Sequence, residues 1–482
     1  MASLNKNIEK SVILCIENIE ENAVSNYNII EIKEGFNMFK RKVTQQLLEW
    51  KEKYGGKYAV LLQGARRVGK STIAENFAKD NYKSYIIIDF SKISKEESEI
   101  FDDINNLDIF FLRLQSITSV KLYERESVII FDEIQLAPKV RQAIKHLVKD
   151  GRYDYIETGS LISIKKNINN IVIPSEEMKI NVYPMDYEEF CWACKKDYSM
   201  LELINQFNKP IGQVTNRNLM RDFRLYMAVG GMPQAVEAYL EKKTFQEIDV
   251  IKKEIIELYK DDFRKIDPSG RISMIYDSIP SQLALGRKSF VLSSAINKRV
   301  SNKDEELLYD LLDSKTVLAC YNVTEPSISL NLTKDLSDFK LYLSDIGLFT
   351  TMLFNDKRLI SENIYNKLLS DKLEANLGYL YENAIAQIIK SNNRELFFHH
   401  WRDGGKVHSY EVDFIISDKN KIIPIEVKSS NHNNHKSIVE FEKKYASVIS
   451  RRIMFSQKDI SNENMLELKP IYLAPVIIKQ ID

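Results

Sequence analysis

The chain reads Gly64-Ala65-Arg66-Arg67-Val68-Gly69-Lys70-Ser71 between an apolar run, Tyr58 to Leu62, and a helix-like stretch, Thr72 to Lys79. The glycines at both ends let the backbone turn tightly enough for its N–H groups to surround a β-phosphate. Lys70 would supply a positive charge to the β- and γ-phosphates, and Ser71 a hydroxyl ligand for Mg²⁺. The N-terminus of the following helix favours the same anion. We therefore predict a phosphate-binding loop whose ligand contacts extend from Gly64 to Thr72.

Two adjacent carboxylates follow a second buried-strand pattern. The apolar run Ser127 to Phe131 ends in Asp132 and Glu133. At the end of a parallel strand, Asp132 would hold the Mg²⁺ shell and Glu133 would polarise a water that attacks the γ-phosphate. An apolar run that ends in Asp-Glu is common by itself, and its combination with the loop at Gly64 makes it specific.

A further strand-like run, Tyr153 to Thr158, ends in Thr158-Gly159-Ser160. If this strand neighbours the strand before the phosphate loop, Thr158 or Ser160 would lie beside the γ-phosphate, although an ordinary polar strand exit has the same composition. The guanine-specific pattern Asn-Lys-x-Asp is incomplete, because Asn297-Lys298-Arg299-Val300 lacks the Asp. We therefore expect ATP, with Mg²⁺, as the ligand.

The composition sets limits on the class of protein. A length of 482 residues with 44% hydrophobic residues predicts about three domains with sizeable cores. Lys plus Arg and Asp plus Glu both number 68, so any DNA or RNA contact would need a local basic patch. Four cysteines and no leader at Met1 predict a reducing compartment and no secretion, and the lack of an apolar run long enough to cross a bilayer predicts no membrane contact. Cys191 and Cys194 form a Cys-x-x-Cys motif, but the sequence has no second cysteine pair to complete a zinc site. We therefore interpret both residues as apolar helix positions.

The order of the patterns predicts the fold. Strand-like and helix-like runs alternate from Phe39 to Phe190, which is typical of a parallel sheet with helices on both faces. The stretch Ser289 to Leu348 has the rhythm of a winged helix, with two helix-like runs before two strand-like ones. Such a unit either binds DNA or packs as a lid, and no Arg or Lys stripe decides between the two.

A second group of polar residues lies near the C-terminus. Tyr410 to Ile416 alternates as a strand around Asp413, and Ile422 to Ser429 is another strand that contains Glu426-Val427-Lys428. Residues two apart in a strand share a face, so Glu426 and Lys428 point the same way. Asp413 and Glu426 would hold Mg²⁺, Lys428 would orient or deprotonate a water, and Glu382, on a preceding amphipathic helix, would be a further ligand.

This spacing resembles the PD-(D/E)xK nuclease signature, which is short and degenerate. Two interpretations stay open: a metal-dependent nuclease, or a nuclease-like fold kept as a binding module in which Glu426 and Lys428 form an ion pair. His399, His400 and His408 lie upstream and receive no role, because neighbouring residues on a strand point to opposite faces.

Taken together, the motifs resemble those of the prokaryotic AAA-type ATPases that join a nucleotide-binding domain to a winged helix and a nuclease-like C-terminal domain. The motifs that carry the resemblance, besides the phosphate loop and the C-terminal group, are Asp132-Glu133-Ile134-Gln135, Tyr183-Pro184-Met185-Asp186 and Gly230-Gly231-Met232-Pro233. The resemblance implies a P-loop NTPase sheet, a winged-helix domain and a restriction-endonuclease-like α/β domain. It also implies ATP and Mg²⁺ as ligands and a bacterial or archaeal cytoplasm. DNA or RNA as a partner and assembly into a homo-oligomer stay open.

The resulting domain plan has five parts: an N-terminal extension without assigned role (1–38), an AAA-type P-loop domain (39–190), a helical connector (191–260), a winged-helix-like domain (261–354) and a nuclease-like domain (370–482). An arginine finger is not identified by the pattern, and Arg264, Arg271 and Arg287 are candidates for it.

Overall fold

Five parallel strands build the first sheet. The computed structural model describes residues 39–104, 106–159, 175–354, 362–372, 377–402, 409–429, 435–463 and 466–481. The predicted extension 1–38, Ser160 and His408 lie outside these ranges. The five strands are β1 (Ala59–Gln63), β2 (Ser84–Asp89), β3 (Ser127–Asp132), β4 (Asp154–Gly159) and β5 (Glu177–Asn181). All pair in parallel in the order β2-β3-β4-β1-β5.

Helices cover both faces of this sheet, as the alternation of runs predicts. They are α1 (Val43–Tyr54), α2 (Lys70–Asn81), α3 (Lys95–Ser98), α4 (Leu107–Thr118) and α5 (Pro138–Asp150). Alternate strand residues point to opposite faces: Leu61 and Ile129 share a core with α4 and α5, whereas Val60 and Ile130 share one with α1 and α2. Side chains at every position of β1 and β3 are buried, which explains why their sequences read as continuous apolar runs.

The strand that lies between β1 and β3 in space is β4, while β2 forms an edge. The carboxyl ends of β1, β3 and β4 therefore meet at the same edge of the sheet. This brings the phosphate loop, Asp132 and Thr158 together.

A largely helical section follows the first sheet in the chain and leads into a second sheet. Its helices are α6 (Tyr187–Ala193), α7 (Ser199–Phe207), α8 (Gln213–Val229), α9 (Pro233–Leu240), α10 (Phe245–Ile266), α11 (Arg271–Ala284), α12 (Leu292–Ala295) and α13 (Asn302–Asp313). The first of the two helix-like runs that contribute to the winged-helix prediction, Ser293 to Val300, contains only a single helical turn, α12. Cys191 is buried on α6, as expected for an apolar helix position, whereas Cys194 follows the end of this helix and is half-buried.

The second sheet has eight strands, in the order β12-β13-β11-β10-β9-β8-β6-β7. They are β6 (Val317–Val323), β7 (Lys334–Leu343), β8 (Leu396–Arg402), β9 (Ser409–Asp418), β10 (Lys421–Val427), β11 (Arg452–Ser456), β12 (Ser461–Glu463) and β13 (Leu466–Pro470). The helices of this region are α14 (Ile346–Leu353), α15 (Glu362–Leu369), α16 (Gly378–Ser391), α17 (Lys436–Tyr445) and α18 (Ala474–Lys479).

The hairpin β6–β7, which the winged-helix prediction includes, is part of this eight-stranded sheet. β6 pairs with β7 in antiparallel fashion and with β8 in parallel, so that Cys320 lies opposite both Lys340 and Leu396. Strands from the two predicted C-terminal domains therefore form one continuous hydrogen-bonded surface. One face of that surface carries the C-terminal polar residues.

Candidate functional site

The phosphate loop adopts the tight backbone that its glycines permit. Gly69 has φ 93° and precedes the first residue of α2, a left-handed conformation that a side chain would strain. Gly64 is required for another reason, since a Cβ there would lie 2.1 Å from the Val182 carbonyl oxygen. Arg67, between them, is also left-handed, with φ 68°. The loop is thus shaped by close approach to the β5 exit as well as by its own turn.

Lys70 is buried and folded onto the loop in this structure. Its Nζ donates hydrogen bonds to the carbonyl oxygens of Gly64, at 3.1 Å, and Ala65, at 2.9 Å. Burial lowers the pKa of Lys70 to about 8, and the nearby carboxylates of Glu133 and Asp132 partly oppose this effect. An ammonium that is buried and bonded only to carbonyls would gain strongly from an anionic phosphate.

The other predicted loop residues divide by exposure. Val68 is buried, Thr72 is exposed at the start of α2, and Arg66 is exposed. The guanidinium of Arg66 forms an ion pair with Asp262 on α10 at 3.2 Å. The loop is therefore in contact with the helical section as well as with its own sheet.

Asp132 accepts hydrogen bonds from two hydroxyl groups. Ser71 Oγ donates to its Oδ1 at 2.7 Å, and Thr158 Oγ1 donates to the same oxygen. Thr158 is opposite Leu62 in the β1–β4 register, so the strand expected to neighbour the loop strand does so. Hydroxyl and carboxylate oxygens are ligands that Mg²⁺ prefers.

Glu133 occupies a left-handed turn with φ 55° immediately after β3. The side-chain amide of Gln135 donates a hydrogen bond to its carboxylate. Gln135 is buried and had no role in the sequence analysis, although it stands in the quoted Asp132-Glu133-Ile134-Gln135 motif. The structure thus brings Lys70, Ser71, Asp132 and Glu133 to one place and adds a side chain that orients the glutamate.

Arg41 is a second residue that sequence reasoning missed. Its guanidinium donates to the carbonyl of Val68 in the loop, at 3.0 Å, and to that of Tyr183, at 2.6 Å. It also pairs with the buried carboxylate of Glu189 at 3.2 Å. No local pattern marks Arg41, because its partners come from distant parts of the chain.

The Gly230-Gly231-Met232-Pro233 motif packs beside the phosphate loop. A Cβ at Gly69 would lie 3.7 Å from Pro233, and one at Gly231 would lie 1.9 Å from the Met185 carbonyl oxygen. The N–H of Gly231 donates to the buried carboxylate of Asp345 at 2.6 Å. Close backbone approach explains why small residues stand here.

The C-terminal polar residues also meet, on one face of the eight-stranded sheet. Asp413 on β9 accepts a hydrogen bond from the backbone N–H of Val427 at 2.7 Å. Lys428, just after β10, places its Nζ 2.5 Å from Glu426 Oε1, while Val427 is buried in the core. Glu426 and Lys428 therefore lie on one side of the sheet, as the strand period predicts.

Glu382 approaches this group from α16. Tyr342 donates its hydroxyl to Glu382 Oε2 at 3.2 Å, and Lys340 Nζ lies 3.8 Å from the same oxygen. Lys340 also forms an ion pair with Glu411 on β9. Lys340 and Tyr342 were not predicted, although their spacing of two on β7 is the signal that they share a face.

We call the six charged residues together the C-terminal charged cluster: Glu382, Glu411, Asp413, Glu426, Lys340 and Lys428. Burial, with the neighbouring carboxylate of Asp413 as the next cause, raises the pKa of Glu382 to about 7 and that of Glu426 to about 8. Burial also raises the pKa of Asp413. Although burial alone would lower the pKa of Lys428, the carboxylates of Glu426 and Asp413 raise it.

The cluster has more carboxylates than ammonium groups. Within the described ranges, Glu426 Oε2 is buried without a hydrogen-bond partner. Among the same residues, no three His, Cys, Asp or Glu side chains are placed so that they could hold a metal ion as they stand. The donor chemistry suits a hard cation such as Mg²⁺, although Glu411 and Glu426 are paired with the ammonium groups of Lys340 and Lys428.

The two described histidines of the upstream strand point to opposite faces. His399 Nδ1 donates to the carbonyl oxygen of Val323 at 2.6 Å, and its Nε2 lies 3.1 Å from the Tyr445 hydroxyl, whereas His400 Nε2 lies 2.7 Å from Asp338 Oδ2. Burial lowers the pKa of His399 to about 4. Both are accounted for by local contacts.

Charge at the predicted winged helix is mainly negative. Helix α13 carries one lysine against five carboxylates, at Asp304, Glu305, Glu306, Asp310 and Asp313. A helix of this charge is repelled by phosphates, so its composition favours packing over DNA contact. Of the arginine-finger candidates, Arg264 pairs with Asp261 at 2.6 Å and Arg271 with the buried Asp304 at 2.7 Å; Arg287 is half-buried.

Across the described ranges, none of the helices combines the length and the apolar character that a membrane crossing requires.

Comparison with known proteins identifies a family for the part of the chain that forms the first sheet. Residues 56–191 match the family described as "AAA domain". Residues 220–359 and 377–473 match two families described as domains of unknown function, DUF8612 and DUF4143. An uncharacterised protein of Methanocaldococcus jannaschii is 22% identical over 293 residues, which are 56% of this chain. The chain spans 59% of that relative's length.

Several solved structures match the chain with low overall similarity. The Walker-type ATPase paby2304 of Pyrococcus abyssi has a TM-score of 0.40 at 15% identity, over 65% of this chain and 96% of its own. The RuvB Holliday junction branch migration motor of Thermotoga maritima has a TM-score of 0.26 at 12% identity, over 58% of this chain and 89% of its own. Cdc6p of Pyrobaculum aerophilum has a TM-score of 0.23 at 14% identity, over 70% of this chain and 98% of its own. The family match and the sheet with its phosphate loop together show that the chain carries an AAA-type P-loop ATPase domain.

Proposed function

We propose that the chain binds ATP with Mg²⁺ at the loop Gly64 to Thr72 and hydrolyses it. The observation that supports this most is that three functional groups lie close together at one edge of the sheet. A buried ammonium (Lys70), a carboxylate held by two hydroxyls (Asp132) and a carboxylate in a strained turn (Glu133) converge there. These are the groups that phosphoryl transfer to water requires.

The contacts support a role for each residue of this site. The loop N–H groups and the α2 N-terminus bind the phosphates, and Lys70 exchanges its carbonyl partners for phosphate oxygens. Ser71 and Asp132 would hold Mg²⁺, which neutralises charge on the phosphates when bound. Glu133, fixed by Gln135, orients a water and accepts its proton.

The test is Glu133→Gln, which keeps size and hydrogen bonding but removes the base. ATP binding should persist, while turnover should fall by about 10²- to 10⁴-fold, the usual contribution of a general base. Glu126→Gln, in an exposed position at the opposite end of β3, is the matched control and should leave turnover unchanged. Wild-type turnover by the Glu133 variant would contradict the assigned role.

A second function is proposed for the C-terminal charged cluster: Mg²⁺-dependent cleavage of phosphodiester bonds in DNA or RNA. The specific observation in its favour is the unpartnered, buried oxygen of Glu426 among carboxylates with raised pKa values. A divalent cation would relieve this excess of negative charge. Asp413, Glu426 and Glu382 would hold it, and Lys428 would orient the attacking water.

The alternative is a nucleotide-dependent switch in which the same domain only binds DNA, RNA or a protein. The Glu426–Lys428 ion pair of 2.5 Å is compatible with both functions. Plasmid DNA incubated with Mg²⁺ or Mn²⁺, with and without ATP, separates them. If the cluster cleaves DNA, the wild type should nick the plasmid and Lys428→Ala should not. Lys421→Ala, at the exposed start of β10, should nick it as the wild type does. Equal inactivity of wild type and Lys428→Ala would favour the switch.

A further inference from the structure

Lys340 is a buried cation with no role in the functions proposed above. It lies on β7, the edge strand of the eight-stranded sheet, and its side chain is only 5% exposed. Burying an ammonium costs several kcal/mol unless carboxylates pair with it. A residue with this cost is expected to hold a defined place in the cluster.

That place lies among carboxylates from two other elements. Nζ forms an ion pair with Glu411 of β9 and lies 3.8 Å from Glu382 of α16. The Lys340 and Glu411 side chains together span the two intervening strands, β8 and β6. On the way, Nζ lies 5.2 Å from the centre of the Phe398 ring. Strand and helix carboxylates are thus drawn toward one ammonium.

The partners of Lys340 are of the type that a metal ion would bind. Glu382 and Glu411 offer the carboxylate oxygens that bind Mg²⁺ or Mn²⁺, and the ammonium occupies the position between them. Lys428 engages Glu426 on the other side of the cluster. This explains why four acidic side chains within a short distance form no ready metal cage among the described residues.

We propose that the Lys340 ammonium holds the place of a cation between Glu382 and Glu411, so that the cluster binds one divalent ion fewer than its carboxylates would otherwise hold. The inference deepens the second proposed function, because it sets the number of metal ions at that site. It does not require that the wild-type cluster cleaves nucleic acid.

The experiment counts bound Mn²⁺ in the full-length protein without nucleotide, by electron paramagnetic resonance of the free ion. Lys340→Met should bind one more Mn²⁺ per chain than the wild type. Lys340→Arg, which keeps the charge, should bind the wild-type number. The double variant Lys340→Met/Glu411→Gln, which removes the ion pair as a unit, should also return to that number. Lys421→Met controls for the loss of a lysine from the same sheet.

An unchanged count in folded Lys340→Met would overturn the inference. If Lys340→Met shows no cooperative melting transition, Lys340→Gln replaces it, with the same expected gain of one ion. If the wild type binds no Mn²⁺ and Lys340→Met binds one, the inference stands, while the metal-dependent function proposed for the wild-type cluster fails.

Discussion

Thr158→Val removes one hydroxyl from the nucleotide site and leaves the shape of the side chain almost unchanged. Thr158 is fully buried on β4, and its hydroxyl donates to Asp132 Oδ1 beside that of Ser71. No solvent reaches the position to replace the lost donor. When ATP and Mg²⁺ bind, Ser71 is expected to turn to the metal, so Asp132 then depends on Thr158 for its orientation.

The magnitude follows from the kind of hydrogen bond that is lost. A hydrogen bond to a charged group contributes about 1.5–3 kcal/mol. Since about 1.4 kcal/mol corresponds to a tenfold change in rate, kcat should fall by about tenfold to about a hundredfold if the loss is felt in the transition state. The KM for ATP should change little, because the loop N–H groups and Lys70 still bind the phosphates.

The assay is steady-state ATP hydrolysis for the wild type, Thr158→Val and Thr158→Ser. The serine variant keeps the donor and should retain most of the wild-type rate. Calorimetric ATP binding by the valine variant shows that the site is intact. Equal kcat values for the valine and serine variants would refute the assignment of Thr158 as a partner of Asp132.

Two further predictions concern stability. Gly231→Ala should destabilise the fold by about 1–3 kcal/mol or more, because its Cβ would stand 1.9 Å from the Met185 carbonyl oxygen and the backbone must move; a melting temperature equal to that of the wild type would contradict this packing. The pKa values of Glu382 and Glu426 are raised to about 7 and about 8 in the folded protein. At a pH above the ordinary glutamate pKa, the folded state therefore binds more protons than the unfolded state. Stability from these two groups should therefore be complete at acidic pH and decline as the pH rises through about 7 and 8. Glu426→Gln should reduce this decline in urea unfolding measured across that range, and stability that rises over the same window in the wild type would be inconsistent with the buried cluster.

Local patterns predicted the ATPase sheet well. The runs Tyr58 to Leu62, Ser127 to Phe131 and Tyr153 to Thr158 agree with β1, β3 and β4 to within one residue at each end. Buried parallel strands read as uninterrupted apolar runs, and the phosphate loop has fixed spacing, so both are visible in a short window. The polar ends of β3 and β4 could be placed together because parallel strands share a carboxyl edge.

Contacts between distant segments were not visible in the sequence. Arg41 reaches Val68, 27 positions away, and Glu189, 148 positions away. Lys340 meets Glu411 over a separation of 71 residues. Neither a hydrophobic period nor a motif encodes such pairs, since they depend on strand order. The same reason explains why the hairpin β6–β7 was assigned to a separate unit, although it pairs with β8 in the eight-stranded sheet.

Calorimetric titration of the full-length protein with ATP and Mg²⁺ tests the central claim most directly. Because the buried ammonium of Lys70 lies in the phosphate loop, next to Ser71 and Asp132, the wild type should bind one ATP per chain. Lys70→Ala should bind it much more weakly while melting normally. Absence of ATP binding by folded wild-type protein, or equal affinity in the Lys70 variant, would contradict the nucleotide site.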